Sequence, residues 1–251
     1  MNEYLKNLNR IEFIVTMCCT GRCKHCSEGD HSTGSPHIDT EAAVQAVKDV
    51  CSRYDIKSLM TFGGEPLLYP ETVAEIHRTA FEMGIPQRDI ITNGFFSKDK
   101  NRIHEVAMIL HESRVERVML SVDAFHQETI PLEPVEFFAD SLKSAGVYVE
   151  ISPAWLVSES DDNPYNLKTV SLIGRFADKG FDIGRGNVIF PQGSALKNLS
   201  EYFLNGDAPQ NPYEESPFDI HSLCIGCDGS ALNGNIYHKN VLQLVEEYSP
   251  V

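Results

Sequence analysis

Two hydrophobic periods alternate along the first 190 residues. Short apolar or β-branched runs at 11–16, 58–62, 89–92, 117–122, 147–151 and 187–190 predict strands. Between them lie segments of helical spacing. In 40–53 the residues Ala43, Val44, Val47 and Val50 fall on one stripe behind a cap at Asp39 or Thr40. Segment 71–83 follows Pro70 and closes on Gly84, while 102–112, 134–145 and 167–179 complete the series, the last two stopping at Gly146 and Gly180. Six strand–helix alternations predict an α/β fold of parallel strands joined by crossover helices, as an open doubly wound sheet or a partial (β/α) barrel. In either, the loops that carry chemistry gather at the C-terminal ends of the strands.

Beyond residue 190 the alternation breaks. Residues 191–251 hold five prolines and two basic residues against eight acidic ones. The expected division is therefore a barrel over 1–190 and a C-terminal extension over 191–251, folded against the barrel because its own core would be meagre. Within it, the step Asn233-Gly234 between short β-like runs predicts a hairpin.

The chain's net charge of −15 argues against a general nucleic-acid binder, and an acidic surface would attract a basic peptide. No signal peptide and no apolar run of spanning length is visible, so the expectation is a cytoplasmic protein without membrane contact. Seven cysteines is an odd count, and four fall within 18–26, which reads as a metal site rather than a disulfide framework.

Cys19, Cys23 and Cys26 follow the first strand in C-x3-C-x2-C spacing. Three thiolates on one loop can hold three corners of a [4Fe–4S] cube and leave the fourth iron open, with Gly21 letting the loop curl. The alternative is a zinc loop with Cys18 or His25 as fourth ligand. After the second strand comes Gly63-Gly64-Glu65-Pro66, whose glycines admit close backbone approach by a ligand and also suit a plain turn.

CCTGRCKHC after strand one, GGEP after strand two, ITNG after strand three and LSVD at strand four occur in order over about residues 10–190. In this the chain resembles the radical S-adenosylmethionine (radical SAM) superfamily. The resemblance implies a partial (β/α)6 TIM-like barrel, a [4Fe–4S] cluster on Cys19, Cys23 and Cys26, and S-adenosylmethionine chelated by the open iron. It places Gly63, Gly64, Glu65 and Pro66 by the methionyl amino group, Thr92 and Asn93 against the cofactor, and Ser121 and Asp123 near the ribose. Arg185, between Gly184 and Gly186, is a candidate for the methionyl carboxylate or a surface turn. His126 is the candidate acid–base group facing substrate, and Phe125 and Trp155 are candidate cavity walls or plain packing. Arg22 and Lys24 would favour the reduced cluster or lie in solvent.

The extension resembles the auxiliary-cluster (SPASM or twitch) tails of the same superfamily, in truncated form, since no cysteine follows Cys227. Cys224 and Cys227 are read as a relic pair, as a second metal site completed by His221 and His238, or as a redox dithiol. The implied activity is reductive cleavage of S-adenosylmethionine to a 5′-deoxyadenosyl radical that abstracts hydrogen, by an oxygen-sensitive enzyme served by an external one-electron donor of flavodoxin or ferredoxin type. A peptide or protein side chain is the leading substrate class, although almost nothing precedes the first strand to serve as a leader-binding domain. Small-molecule or cofactor biosynthesis, glycyl-radical-enzyme activation and a non-catalytic iron–sulfur or zinc protein are the alternatives.

Overall fold

The computed structural model describes residues 2–29, 31, 34, 36–203 and 208–250. Its strands are β1 (Arg10–Thr16), β2 (Ser58–Gly63), β3 (Gln87–Thr92), β4 (Arg117–Ser121), β5 (Tyr148–Ser152), β6 (Ala154–Trp155), β7 (Asp182–Ile183), β8 (Asn187–Val188), β9 (Ser222–Ile225), β10 (Ser230–Ala231) and β11 (Gly234–Asn235). The helices are α1 (Thr40–Cys51), α2 (Pro70–Glu82), α3 (Lys100–Glu112), α4 (Leu132–Ala145), α5 (Pro164–Ala177), α6 (Gly193–Asn198) and α7 (Val241–Glu247). One sheet runs β11-β10-β9-β1-β2-β3-β4-β5-β7, and β9 through β7 are parallel. The curved sheet does not close, so the molecule is a partial barrel.

Period-2 alternation decides what each strand offers to either side. On β1, Ile11, Phe13 and Val15 are fully buried toward the helices, while Arg10 and Glu12 point the other way and line the barrel interior. Outside, Ile90, Val118 and Leu120 pack with Val106, Leu110 and Phe138 of α3 and α4. Asp39 starts α1 as expected, its carboxylate accepting from the Ala42 amide at 2.8 Å.

Three expectations change. The sixth strand of the sheet is Asp182–Ile183, whereas Asn187–Val188 pairs with Ala154–Trp155 in a separate two-stranded ribbon. Gly184 and Gly186 let the chain leave the sheet there: a Cβ on Gly186 (φ +66°) would stand 1.9 Å from the Pro153 carbonyl oxygen. The extension is more than a segment leaning on the barrel, because β9 pairs with β1 in parallel, Cys224 beside Glu12. Its Leu223 and Ile225 are fully buried among Phe13, Val47 and Leu244, about 1.5–3 kcal/mol each as an upper bound. The hairpin forms one residue earlier than expected: Ala231 pairs with Gly234, so Leu232 (φ +52°) and Asn233 make the turn.

Candidate active site

The cysteine loop leaves β1 and curls over the C-terminal strand ends. Cys19, Cys23 and Cys26 all line one cavity of about 480 Å³. The Cys19 sulfur accepts from the Gly21 amide at 3.3 Å and the Asn93 side-chain amide at 3.4 Å. His31 Nδ1 donates to the Met17 carbonyl at 2.9 Å, so Nε2 is the acceptor for the Cys26 thiol at 3.1 Å. Burial, with Glu65 nearby, pushes the Cys19 thiol up to about 11, and burial raises Cys23 and Cys26 as well. Such thiols give up their protons to a metal rather than to water. A Cβ on Gly21 would meet Ile130 Cδ1 at 3.0 Å and Cys23 Sγ at 3.2 Å, a tight fit that these side chains would have to yield to. Three thiols opening on one cavity, with hydrogen-bond donors already aimed at one sulfur, fit a three-ligand cluster.

The glycine pair after β2 serves the chain itself. A Cβ on Gly64 would lie 2.1 Å from the Cys18 carbonyl oxygen, and one on Gly63 (φ +131°) 2.5 Å from that of Thr16. The amides of Gly64 and Glu65 donate to Thr16 and Cys18 carbonyls, both at 2.7 Å, and zip the cysteine loop onto strand two. Gly63 and Gly64 also line the cavity. Glu65 and Pro66 are buried and lie outside its lining. The Glu65 carboxylate accepts from Leu67 N (2.9 Å), Thr92 Oγ1 (2.7 Å) and Asn93 N (2.9 Å). Burial nevertheless pushes its carboxyl up to about 7.

Thr92, Asn93, Ser121, Asp123 and His126 line the same cavity. Asp123 is fully buried and heavily committed: its carboxylate accepts from the amides of Phe125 and His126 at 2.9 Å and of Ala154 at 3.2 Å, and from His126 Nδ1 at 2.7 Å. Burial pushes its carboxyl up, but the electrostatic pull of His126, the hydrogen bonds from His126 and the nearby His25 outweigh burial and hold it down at about 2. His126 stands edge-on to His25, ring centroids 4.7 Å apart. His25 is pushed down to about 4 by burial, and its Nδ1 has no hydrogen-bond partner. Cys23, His25 and His126 bring ligand atoms within 4.8 Å of one another, a grouping that spacing alone did not suggest.

Other expected residues fall elsewhere. Arg185 is exposed and does not line the cavity; its carbonyl accepts from the Trp155 indole at 2.8 Å. Phe125 is buried against Tyr165 and Trp155 is buried beside β8, so both are packing. Arg22 binds the Cys19 and Gly21 carbonyls, and Lys24 pairs with Glu128 at 3.2 Å, both exposed. In the extension, no three of His221, Cys224, Cys227 and His238 bring their ligand atoms within 4.8 Å of one another among the described residues. Cys224 is held in β9 on the Glu12 side, while Cys227 follows the strand, where Met17 and Cys18 influence its thiol.

Sequence reading missed the floor of the cavity, formed by the inner faces of the strands. Arg10 pairs with Glu12 at 2.6 Å, and Arg117 bridges Asp89 at 2.6 Å and Glu150 at 3.3 Å. At the open side, Tyr213 from the extension donates to Asn187 Oδ1 at 2.6 Å. The signal was present in the alternating charges of strands whose other face is apolar; a parallel strand packed on both faces reads as a continuous apolar run.

The radical SAM superfamily model matches residues 13–152. A GTP 3′,8-cyclase of Desulforamulus reducens is 25% identical over 131 residues, which cover 51% of this chain and 38% of that protein. A probable GTP 3′,8-cyclase of Methanocella arvoryzae is 29% identical over 131 residues, with the same coverage. The match thus spans under two fifths of these relatives' length. Among solved structures, anSMEcpe with bound AdoMet superposes with a TM-score of 0.61 at 19% identity, covering 95% of this chain and 80% of that one. Streptococcus suis SuiB bound to S-adenosylmethionine gives 0.63 at 14% identity, covering 97% and 67%. These likenesses bear on the fold, which they share with the partial barrel described above.

Proposed function

The chain belongs to the radical SAM superfamily, and from that premise we propose that it cleaves S-adenosylmethionine reductively and abstracts hydrogen from a substrate held in the barrel. The observation that carries this reading is the opening of Cys19, Cys23 and Cys26, the three proposed cluster ligands, on a single cavity. When bound and reduced by an external one-electron donor, the [4Fe–4S] cluster supplies the electron that breaks the C5′–S bond and yields the 5′-deoxyadenosyl radical.

The protein's part is placement. The zipped glycine pair fixes the cysteine loop against β2, with the Gly63 and Gly64 backbone facing the methionyl end. Asn93 and the Gly21 amide donate to the Cys19 sulfur and stabilise it as a thiolate. Ser121 and Asn93 offer polar groups to the nucleoside, while Asp123 holds His126 toward the cavity. Arg185 is not part of this set. Relatives named as GTP 3′,8-cyclases favour a small-molecule substrate, and the acidic charge of the chain favours a basic peptide; hydrogen abstraction is common to both.

Anaerobic reconstitution tests the proposal. Four irons per chain and 5′-deoxyadenosine on reduction are expected, with both lost in Cys19→Ala. A single zinc per chain, held at Cys23, His25 and His126, would overturn it.

A further inference from the structure

The proposed cavity has an unusual balance of charge. Among the described residues that line it, the cationic side chains of lysine and arginine type are Arg10 and Arg117 alone. Each is already spent, Arg10 on Glu12 and Arg117 on Asp89 and Glu150. Asp89 is only 3% exposed, so withdrawing Arg117 to greet an anion would strand a buried carboxylate. Glu28 and Asp123 line the same cavity, and among the described residues neither has a lysine or arginine within ion-pair distance, although Asp123 pairs with His126 at 2.7 Å. The interior is therefore anionic overall and has no free guanidinium or ammonium for a phosphate.

The rest of the lining is suited to a cation on an aliphatic stem. Phe62 and Phe190 add aromatic rings to the lining and Met119 a polarisable sulfur, while the Met60 sulfur accepts from Arg10 Nη2 at 3.3 Å. His25 also lines the cavity, and its buried Nδ1 lacks a hydrogen-bond partner among the described residues. A nucleoside triphosphate would bring several negative charges against these carboxylates without compensation.

Resting on the proposed function, we propose that this cavity selects its substrate through an alkylammonium group, with Glu28 as a specificity-determining residue, and excludes nucleoside triphosphates. The ammonium belongs either to a lysine side chain in a peptide or to a free amine.

The test is calorimetric titration of the anaerobically reconstituted, S-adenosylmethionine-loaded protein. Probes are Nα-acetyl-lysine methylamide, the uncharged Nα-acetyl-norleucine methylamide, free pentylamine and GTP. The lysine probe is expected to bind at least ten-fold tighter than its norleucine counterpart, with GTP weakest. That preference should fall at least five-fold in Glu28→Gln and persist in Glu133→Gln, which removes an exposed carboxylate of the outer surface. Preference for the lysine probe over pentylamine assigns the ammonium to a peptide, and the reverse to a free amine; either supports the inference. Equal binding of lysine and norleucine probes, tighter binding of GTP, or equal loss of preference in both variants overturns it. Because the first comparison uses the unaltered chain, a poorly folded Glu28→Gln does not shield the inference. Iron content and 5′-deoxyadenosine formation in the same preparations report separately on the proposed function.

Discussion

Replacing Gly64 by alanine should break the junction between the cysteine loop and strand two. The added Cβ would lie 2.1 Å from the Cys18 carbonyl oxygen, 2.6 Å from its carbon and 2.9 Å from the Met17 carbonyl carbon. All three are backbone atoms, so no side chain can swing away. Restoring 3.0 Å, the lower limit for real Cβ contacts, demands a separation of about 0.9 Å. The two flanking bonds, Gly64 N to Thr16 O and Glu65 N to Cys18 O, are 2.7 Å long and would stretch to about 3.6 Å, beyond hydrogen bonding. Two buried pairs left unmade cost roughly 2–6 kcal/mol together, a large share of a typical domain's ~5–15 kcal/mol. Gly84→Ala is the control: its φ is also positive (+80°) but nothing lies within 4 Å, so only the backbone penalty of about 1–2 kcal/mol applies. Urea unfolding of the iron-free proteins measures both costs, and iron stoichiometry after reconstitution measures the loop. If Gly64→Ala is no less stable than Gly84→Ala and loads four irons, the zipped junction is not what positions the cysteines.

Three further outcomes are expected. Asp123, held at about 2 against a usual 3.8, adds stability that is complete above pH 4 and is lost as pH falls through 2; by linkage it amounts to about 2 kcal/mol. Thermal melts of iron-free protein should therefore show the gap between the unaltered chain and Asp123→Asn narrowing from pH 5 to pH 2, and a constant gap would contradict the assignment. Arg117→Met should cost about 3–5 kcal/mol by stranding Asp89, and the double variant with Asp89→Leu should recover most of it in denaturant titrations. Val157 sits at φ +68° in a tight turn closed by Ser158 N to Leu156 O at 2.8 Å. Val157→Gly should accordingly gain about 0.5–1 kcal/mol, read as a rise in melting temperature.

The strands and helices of the barrel were legible because of their periods and of start and stop signals, such as Asp39 at the start of α1 and Gly146 at φ +80° at the end of α4. The three cysteines proposed to hold the cluster were legible because one loop carries them all. β9 was not, since four residues, SLCI, have too little pattern to predict a strand; its partner β1 supplies the order. The run 187–190 reads as the sixth strand of the sheet for a similar reason: β7, only two residues long, carries no pattern of its own, and Gly186 against Pro153 sorts β8 into the ribbon. Arg185 looked like a carboxylate clamp because glycines flank it, but the glycines answer to Glu150 and Pro153 instead. The ion-paired floor was overlooked because charges in strands read as edges until the curvature of the sheet turns them inward.

The pairing of β9 with β1 also sets an order of events in assembly. Arg10 lies beside Ser222, so the strand that launches the cysteine loop has one flank unpaired until residues 222–225 have been made. Such long-range pairing is slow to form and leaves an apolar edge exposed while it waits. The amide of Ser194, also from the late part of the chain, is what satisfies the Cys26 carbonyl at 2.8 Å. The cysteine loop therefore gains its final support last, and a metal centre delivered during synthesis would meet a loop fastened only to the earlier strand ends, through Gly64, Glu65, Asn93 and Thr129.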